Sequence, residues 1–408
     1  MSLRDSSGSG PARTRRRALI AGSAAVILAG GTAAVLAVVP ASHPVAQHRT
    51  ASAVKAATAV KGFKSAHLAS STCSGPAGAA YVALPGYQAF DAIDTANCYI
   101  TQMYNVGDPQ VPGFSGDTNY SGTDDGVVIH GDTLYFAVTG DDAVAVIDAA
   151  TLNPKDYSPT ETDIHVGFDP DYVAVTPDGS QLWAADTGPQ TSSSSPTAIS
   201  VISTATDKVT ATLRLPTAPA QIVFSPSGAT AYVTTVEGLW VYNTATEHLT
   251  AVVGGLGDPN GVAVSPDGST VYVTNTESGR VEVIDAATNR VTGTIAVGQL
   301  PWQLAVSSNG KTLYVTDPDS DQVSVISTSS DTVTSTIPIS GDPDTLALTP
   351  DGSQLWVGGL TSGIITVLDT ATESVVGTIN VGDDGANSGD GDEPTSIVMT
   401  TNPTPGGS

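Results

Sequence analysis

From residue 79 to residue 400 the chain is a succession of short runs in which apolar and polar residues alternate with period two. The clearest stretch reads GVAVS (261–265), TVYVT (270–274), RVEVID (280–285) and VTGTIAV (291–297). Period two places successive side chains on opposite faces of a strand, so each run predicts a β-strand. Between the first two runs stands Ser265-Pro266-Asp267-Gly268. Pro presets φ, Asp bonds its own backbone and Gly accepts positive φ, so this punctuation makes a hairpin and not a crossover.

The four-run unit recurs. DPNGVAVSPDGSTVYVTN (258–275) returns at 299–317 and 341–359, with Pro259, Pro301 and Pro343 spaced 42 apart. Earlier copies begin near Pro219 and Pro170, and a divergent one contains GVVIHGDTLYFAV at 126–138. Four antiparallel strands per period of about 40 residues is the signature of a propeller blade. Residues 79–107 match strands two to four of the unit without gaps and lack the first strand. Residues 393–400 match a first strand, after which the pattern stops. An open ring would leave unpaired edges, so the two fragments are expected to combine. The prediction is an all-β, seven-bladed propeller closed by its C-terminal strand in the innermost position. The unit's spacing puts Cys73 near the strand-one/two turn and Cys98 in the strand-three/four turn of the closing blade, on one rim. A Cys73–Cys98 disulfide is therefore expected in an exported chain.

Composition agrees with an all-β chain: 42 Gly, 26 Pro, 5% aromatic and 13% charged residues. Charge is distributed unevenly. The formal net charge is −25, yet residues 1–72 hold nine of the fifteen basic residues and one acid, Asp5. The remainder carries six basic residues against 39 acidic ones, a balance of −33. Such a surface repels phosphate backbones and anionic lipid headgroups, which excludes nucleic acid as an expected partner and limits membrane contact to the N-terminus.

Residues 1–17 form a basic n-region, and Ala18–Val39 is an uncharged run of 22 residues. Basic flank followed by apolar stretch is an export signal, and the run also reaches the roughly 20 residues that a spanning helix needs. The segment 18–41 is thus read as a signal peptide or a signal anchor. Thr14-Arg15-Arg16-Arg17-Ala18-Leu19 resembles a twin-arginine signal, with Ala18 where that signal favours Phe. Under both readings the positive-inside rule puts the bulk of the chain outside the cytoplasm, secreted or anchored by one helix. Residues 42–72 read as a flexible linker, 73–402 as the propeller and 403–408 as a tail.

Tyr272-Val273-Thr274-Asn275, with its variants at 314–317 and 232–235, resembles the YVTN family of β-propeller repeats found in surface-layer and cell-envelope proteins. The resemblance covers roughly 79–400. It implies the propeller fold and an envelope role; related rings include lactonases and quinoprotein dehydrogenases, so it does not separate enzyme from binder.

Candidate chemistry is sparse. His130, His165 and His248 occupy repeat positions that keep them apart, so no His-based acid, base or metal cluster is expected. Carboxylates remain. Loops entering the first strands carry Asp108, Asp169, Asp258, Asp342 and Glu393, with Asp171, Asn260 and Asp344 close behind. These residues and Trp302 form the candidate ligand-binding set at the channel mouth; for the acids, the alternative is that Asp-Pro starts a turn. Tyr87, Tyr120 and Trp240 are further aromatic candidates, whereas Trp183 and Trp356 occupy the position of Tyr272 and are expected to pack. Asp383, Asp384, Asn387, Asp390 and Asp392 form the candidate Ca²⁺ loop, its alternative being a solvated acidic loop. The sequence reading is a non-enzymatic, extracytoplasmic binding or scaffold propeller with a protein, glycan or small-molecule ligand at its rim. Its rival is a metal-dependent, lactonase-like hydrolase using the channel-mouth carboxylates.

Overall fold

A computed structural model describes residues 76–84, 89–105, 126–138, 142–150, 152–154, 163–188, 197–381 and 394–401. The export segment, the linker, Cys73 and the loop 382–393 lie outside the described residues, as do Tyr87 and residues 108–125 and 189–196. The described strands form seven antiparallel sheets arranged as propeller blades.

Blade 1 contributes β1 (Ala79–Leu84), β2 (Ala89–Asp94) and β3 (Tyr99–Asn105). Blade 2 has β4 (Val127–His130), β5 (Thr133–Val138) and β6 (Ala143–Asp148), with its outer strand split into β7 (Asn153–Pro154) and β8 (Asp163–His165), both paired to β6. Blade 3 has β9 (Pro170–Val175), β10 (Gln181–Asp186), β11 (Thr197–Ser203) and β12 (Lys208–Leu215). Blade 4 has β13 (Pro219–Phe224), β14 (Thr230–Thr235), β15 (Gly238–Asn243) and β16 (His248–Val253). Blade 5 runs through β17 (Pro259–Val264), β18 (Thr270–Asn275), β19 (Arg280–Asp285) and β20 (Arg290–Ala296). Blade 6 is β21 (Leu304–Val306), β22 (Thr312–Asp317), β23 (Gln322–Ser327) and β24 (Thr332–Pro338). Blade 7 is β25 (Pro343–Leu348), β26 (Gln354–Gly359), β27 (Ile364–Asp369) and β28 (Ser374–Asn380), followed by β29 (Ser396–Thr400).

β29 completes blade 1. It pairs antiparallel with β1 in the register Ala79↔Thr400, Tyr81↔Val398 and Ala83↔Ser396, so the order is β29-β1-β2-β3. The expected closure is present.

The apolar core is divided among the seams between blades. One cluster joins blade 7 to blade 1 through Trp356, Ile365, Val367, Val82, Ile93 and Ile397, and equivalent clusters join every other neighbouring pair. Second strands are consequently buried on both faces, which makes their alternation one of direction. Tyr232, Tyr272 and Tyr314 face the following blade, and Val233, Val273 and Val315 the preceding one.

The next residue of the motif is a clasp. Thr234, Thr274 and Thr316 accept hydrogen bonds from the first-strand N–H groups of Gln221, Gly261 and Gln303 in their own blades at 3.1, 2.8 and 2.9 Å. The same hydroxyls donate to Asn260 O, Trp302 O and Asp344 O in the following blade at 2.6, 2.9 and 3.1 Å. Each buried hydroxyl thereby ties two inner strands, and Ala83, Ala137, Ala185 and Gly358 stand at this position in the other blades. Thr274→Val is expected to destabilise by about 1–3 kcal/mol, because Trp302 O and Gly261 N lose a buried partner; urea unfolding checks it.

Outer strands share a second device. A register shift recurs between strands three and four at Val201/Ile202, Val241/Tyr242, Val283/Ile284 and Val325/Ile326. There Thr210, Thr250, Thr292 and Thr334 donate to the carbonyls of Val201, Val241, Val283 and Val325, at 3.2, 2.9, 3.2 and 3.1 Å. A bulge twists the exposed edge away from pairing with another chain, and the threonine satisfies the carbonyl it frees.

Cys98 is buried and takes the left-handed position (φ 52°) of the β2–β3 turn that Asp207, Asn289 and Asp331 take in other blades. Trp183 and Trp356 are fully buried and donate their indole N–H to Gln181 and Gln354 at 3.1 and 3.2 Å, as expected for packing residues.

Candidate functional site

The rim bearing the entry loops is built from Asp-Pro turns. Asp169, Asp258 and Asp342 adopt φ of 47°, 59° and 57°, which swings the chain into β9, β17 and β25. Their carbonyls are latched by residues just beyond the second strand. Thr187 donates through its N–H (3.0 Å) and hydroxyl (2.9 Å) to Asp169 O, and Thr276 through its hydroxyl (2.8 Å) to Asp258 O. Leu360 N–H donates to Asp342 O at 3.0 Å. The backbone of these turns is therefore tied to the second strand of its own blade. Burial raises the pKa of Asp169, with the Asp142 charge adding to it. Burial also raises that of Asp258, against a lowering hydrogen bond from Thr276.

The remaining members of the predicted set fare differently. Asp171 and Asn260 are half-buried at the strand starts. Asp342 and Asp344 are buried, and Asp344 O receives the Thr316 clasp. Trp302, expected as an aromatic at the channel mouth, is only 8% exposed. Its backbone is held on both sides, N–H to Thr316 O at 2.8 Å and O from Gly261 N–H at 3.1 Å, which draws it into the wall. Trp240 lies within β15, packed against the core between blades 3 and 4. Asp108, Glu393, Tyr120 and the proposed Ca²⁺ ligands Asp383, Asp384, Asn387, Asp390 and Asp392 lie outside the described residues. Among the described residues no group of three or more His, Cys, Asp or Glu side chains is placed to hold a metal ion.

Toward the axis, polar side chains meet from separate blades. Two residues after the entry proline stand Tyr172, Gln221, Gly261, Gln303, Thr345 and Ser396. Gln221 Nε2 donates to Tyr172 OH of blade 3 and to Gln303 Oε1 of blade 6, both at 3.0 Å, and Gln221 Oε1 accepts from Val262 N–H of blade 5 at 2.6 Å. The reach from blade 4 to blade 6 passes over Gly261. A Cβ there would stand 2.4 Å from the Trp302 carbonyl oxygen, so only glycine lets these inner strands approach.

Two features of this rim were not read from sequence. Phe168, in the loop entering β9, is 49% exposed, and no other aromatic side chain whose exposure is described is so open. Asp186, the last residue of β10, is 0% exposed. Its Oδ2 accepts from the Ser200 hydroxyl at 2.7 Å and its carboxylate from the Gly167 N–H, while Oδ1 has no partner. Burial pushes its pKa up to about 7, the two hydrogen bonds pull it down, and the Asp142 charge adds a smaller upward push. Asp317 repeats the arrangement in blade 6, with Ser324 (2.6 Å) and Gln322 Nε2 (3.1 Å) on Oδ2 and a pKa raised by burial. The available signal was Asp in place of the motif's terminal Asn, which reads in sequence as mere variation at a strand end.

A family model described as the choice-of-anchor I domain matches residues 87–322. No curated protein matches the chain. Among solved structures, a functionally unknown protein from Desulfotomaculum acetoxidans is similar at TM-score 0.63 and 15% identity, over 80% of this chain and 99% of that one. Kuenenia stuttgartiensis hydrazine synthase is similar at TM-score 0.50 and 24% identity, over 59% of this chain and 74% of that one. Dihydro-heme d1 dehydrogenase NirN, in complex with DHE, is similar at TM-score 0.54 and 13% identity, over 80% and 75%. At these identities the likeness establishes the fold alone.

Proposed function

This chain belongs to the choice-of-anchor I domain family, and from that premise we propose that it is an extracytoplasmic binding or scaffold propeller of the cell envelope. Its repeats are read as YVTN repeats, its N-terminal segment as the export signal or anchor, and Cys73–Cys98 as a disulfide beside the closing seam. The ligand is a protein, a glycan or a small molecule held at the entry-loop rim. The observation carrying this reading is the exposed Phe168 on a rim whose acidic turns are otherwise tied into the scaffold. An exposed aromatic beside half-buried Asp171 offers apolar area with a polar margin, the composition of a contact patch.

The test is cosedimentation of the protein with purified cell-wall polysaccharide, and its binding to lysine-rich peptides and a glycan array. Phe168→Ala is expected to weaken whichever interaction is found by about tenfold or more, with the melting temperature unchanged. Binding unaffected by that substitution counts against the rim assignment. Metal-dependent opening of lactones by the same sample replaces this reading with the hydrolase, whose carboxylates at the channel mouth would then polarise a carbonyl through the metal.

A further inference from the structure

We propose that the seam between blades 2 and 3 is an acid-closed latch: a proton on Asp186 holds the Gly167–Asp169 loop in place, and its loss loosens the loop that presents Phe168. The functional part of this inference rests on Phe168 being a ligand contact.

The geometry leaves the loop no slack. A Cβ on Gly167 would stand 2.4 Å from Asp186 Oδ2, so the glycine backbone lies directly on the carboxyl group. Gly167 N–H also reaches the Ser200 hydroxyl at 3.3 Å. Among the described residues, ionising Asp186 places a charge in a site with two hydrogen bonds, an orphaned Oδ1 and no cation acting on it. The charge that does act on it is Asp142 of the β5–β6 turn, which also accepts the Asp169 N–H at 3.0 Å and so fastens the far end of the same loop. Among the described residues the groups acting on the carboxyl are thus Ser200 of β11, Gly167 of the entry loop, and Asp142; Asp169 of the same loop acts with Asp142, and His165, two residues before Gly167, is exposed on β8. Repulsion between Asp186 and Asp142 acts on the two anchors of one loop together.

The repeats contain their own controls. Asp317 has a third donor, Gln322, and no acidic side chain among the groups acting on it. Blade 5 has the neutral analogue Asn275, whose Nδ2 donates to Glu282 at 2.9 Å and whose Oδ1 accepts Ser278 N–H at 3.0 Å. An amide therefore fits this position.

A carboxyl group with a raised folded-state pKa binds its proton in the native protein over a window in which the unfolded chain has already released it. Its stabilising contribution is complete below the ordinary carboxylate range and is lost as pH rises toward about 7, then stays constant.

Amide hydrogen exchange of the full chain between pH 5 and 8.5, corrected for intrinsic rates, tests the latch without any ligand. Protection over residues 163–172 is expected to fall by at least about tenfold across the window in the wild type. It should stay flat in Asp186→Asn, and in Asp142→Asn the midpoint should move to lower pH. PH-independent protection in the wild type overturns the proposal, as does a transition that survives in Asp186→Asn. Loss of capture by Phe168→Ala with a pH-independent loop removes the latch and keeps the binding rim. A normal exchange transition in a protein that captures nothing removes the rim and keeps the latch.

Discussion

Deleting residues 393–408 is expected to leave a product that aggregates or melts far below the intact protein. The loss has three parts. β29 pairs with β1 from Ala79 to Ala83, so its removal exposes a row of unpaired backbone groups on a strand left with β2 as its single neighbour. Ile397 and Met399 leave the core between blades 7 and 1, and Val398 leaves the core between blades 1 and 2. Ser396, whose hydroxyl accepts the Val127 N–H at 3.4 Å, is lost as well. Two of seven seams are damaged together, and the cost should exceed roughly 5 kcal/mol, the lower end of a domain's net stability. Scanning calorimetry with light scattering is the measurement. A truncated protein with the same melting temperature would show that the ring does not depend on its closing strand.

Trp356→Ala is the second large effect expected, at about 3–5 kcal/mol. The side chain is fully buried, fills the seam that joins the last complete blade to the closing one, and donates its indole N–H to Gln354. Trp183→Ala should cost a similar amount in the seam between blades 3 and 4, where the indole packs edge-on to Phe224 and Tyr242 with ring centroids 5.5 and 6.1 Å away. The comparison is informative because a propeller has no common core. Each tryptophan serves one seam, so the two losses should add in the double variant. Trp356→Ala combined with the strand deletion should not add, since both act on the same cluster. Urea unfolding with the m-value checked for each variant separates these outcomes.

Blade count, closure and hairpin turns were legible in the chain because a repeat states each rule several times. The Ser-Pro-Asp-Gly turn is one example. Ser265 and Ser269 donate to Asp267 Oδ1 at 2.6 and 2.8 Å, which holds this carboxyl down at about 2, and Asp178 repeats the pattern. The split outer strand of blade 2 was not legible, since β7 and β8 each offer too few residues to show a period. The burial of Trp302 was not legible either. Its neighbour Pro301 marks where an inner strand starts, but which way the side chain turns is set by hydrogen bonds to Thr274 and Thr316, residues of the second strands of two blades.

The amino-acid sequence by itself determined that this is a ring of seven antiparallel sheets sealed by its last strand, because strand periodicity, turn chemistry and edge avoidance are local rules read within about 40 residues. Tertiary structure alone decided the character of the rim. Asp186 meets Asp142, Gly167 and Ser200 only because blades 2 and 3 are pressed together, and Gln221 reaches Gln303 only past Gly261 of the blade between them. Burial and proximity set the pKa of one and the partners of the other, and neither quantity exists until the seams have closed.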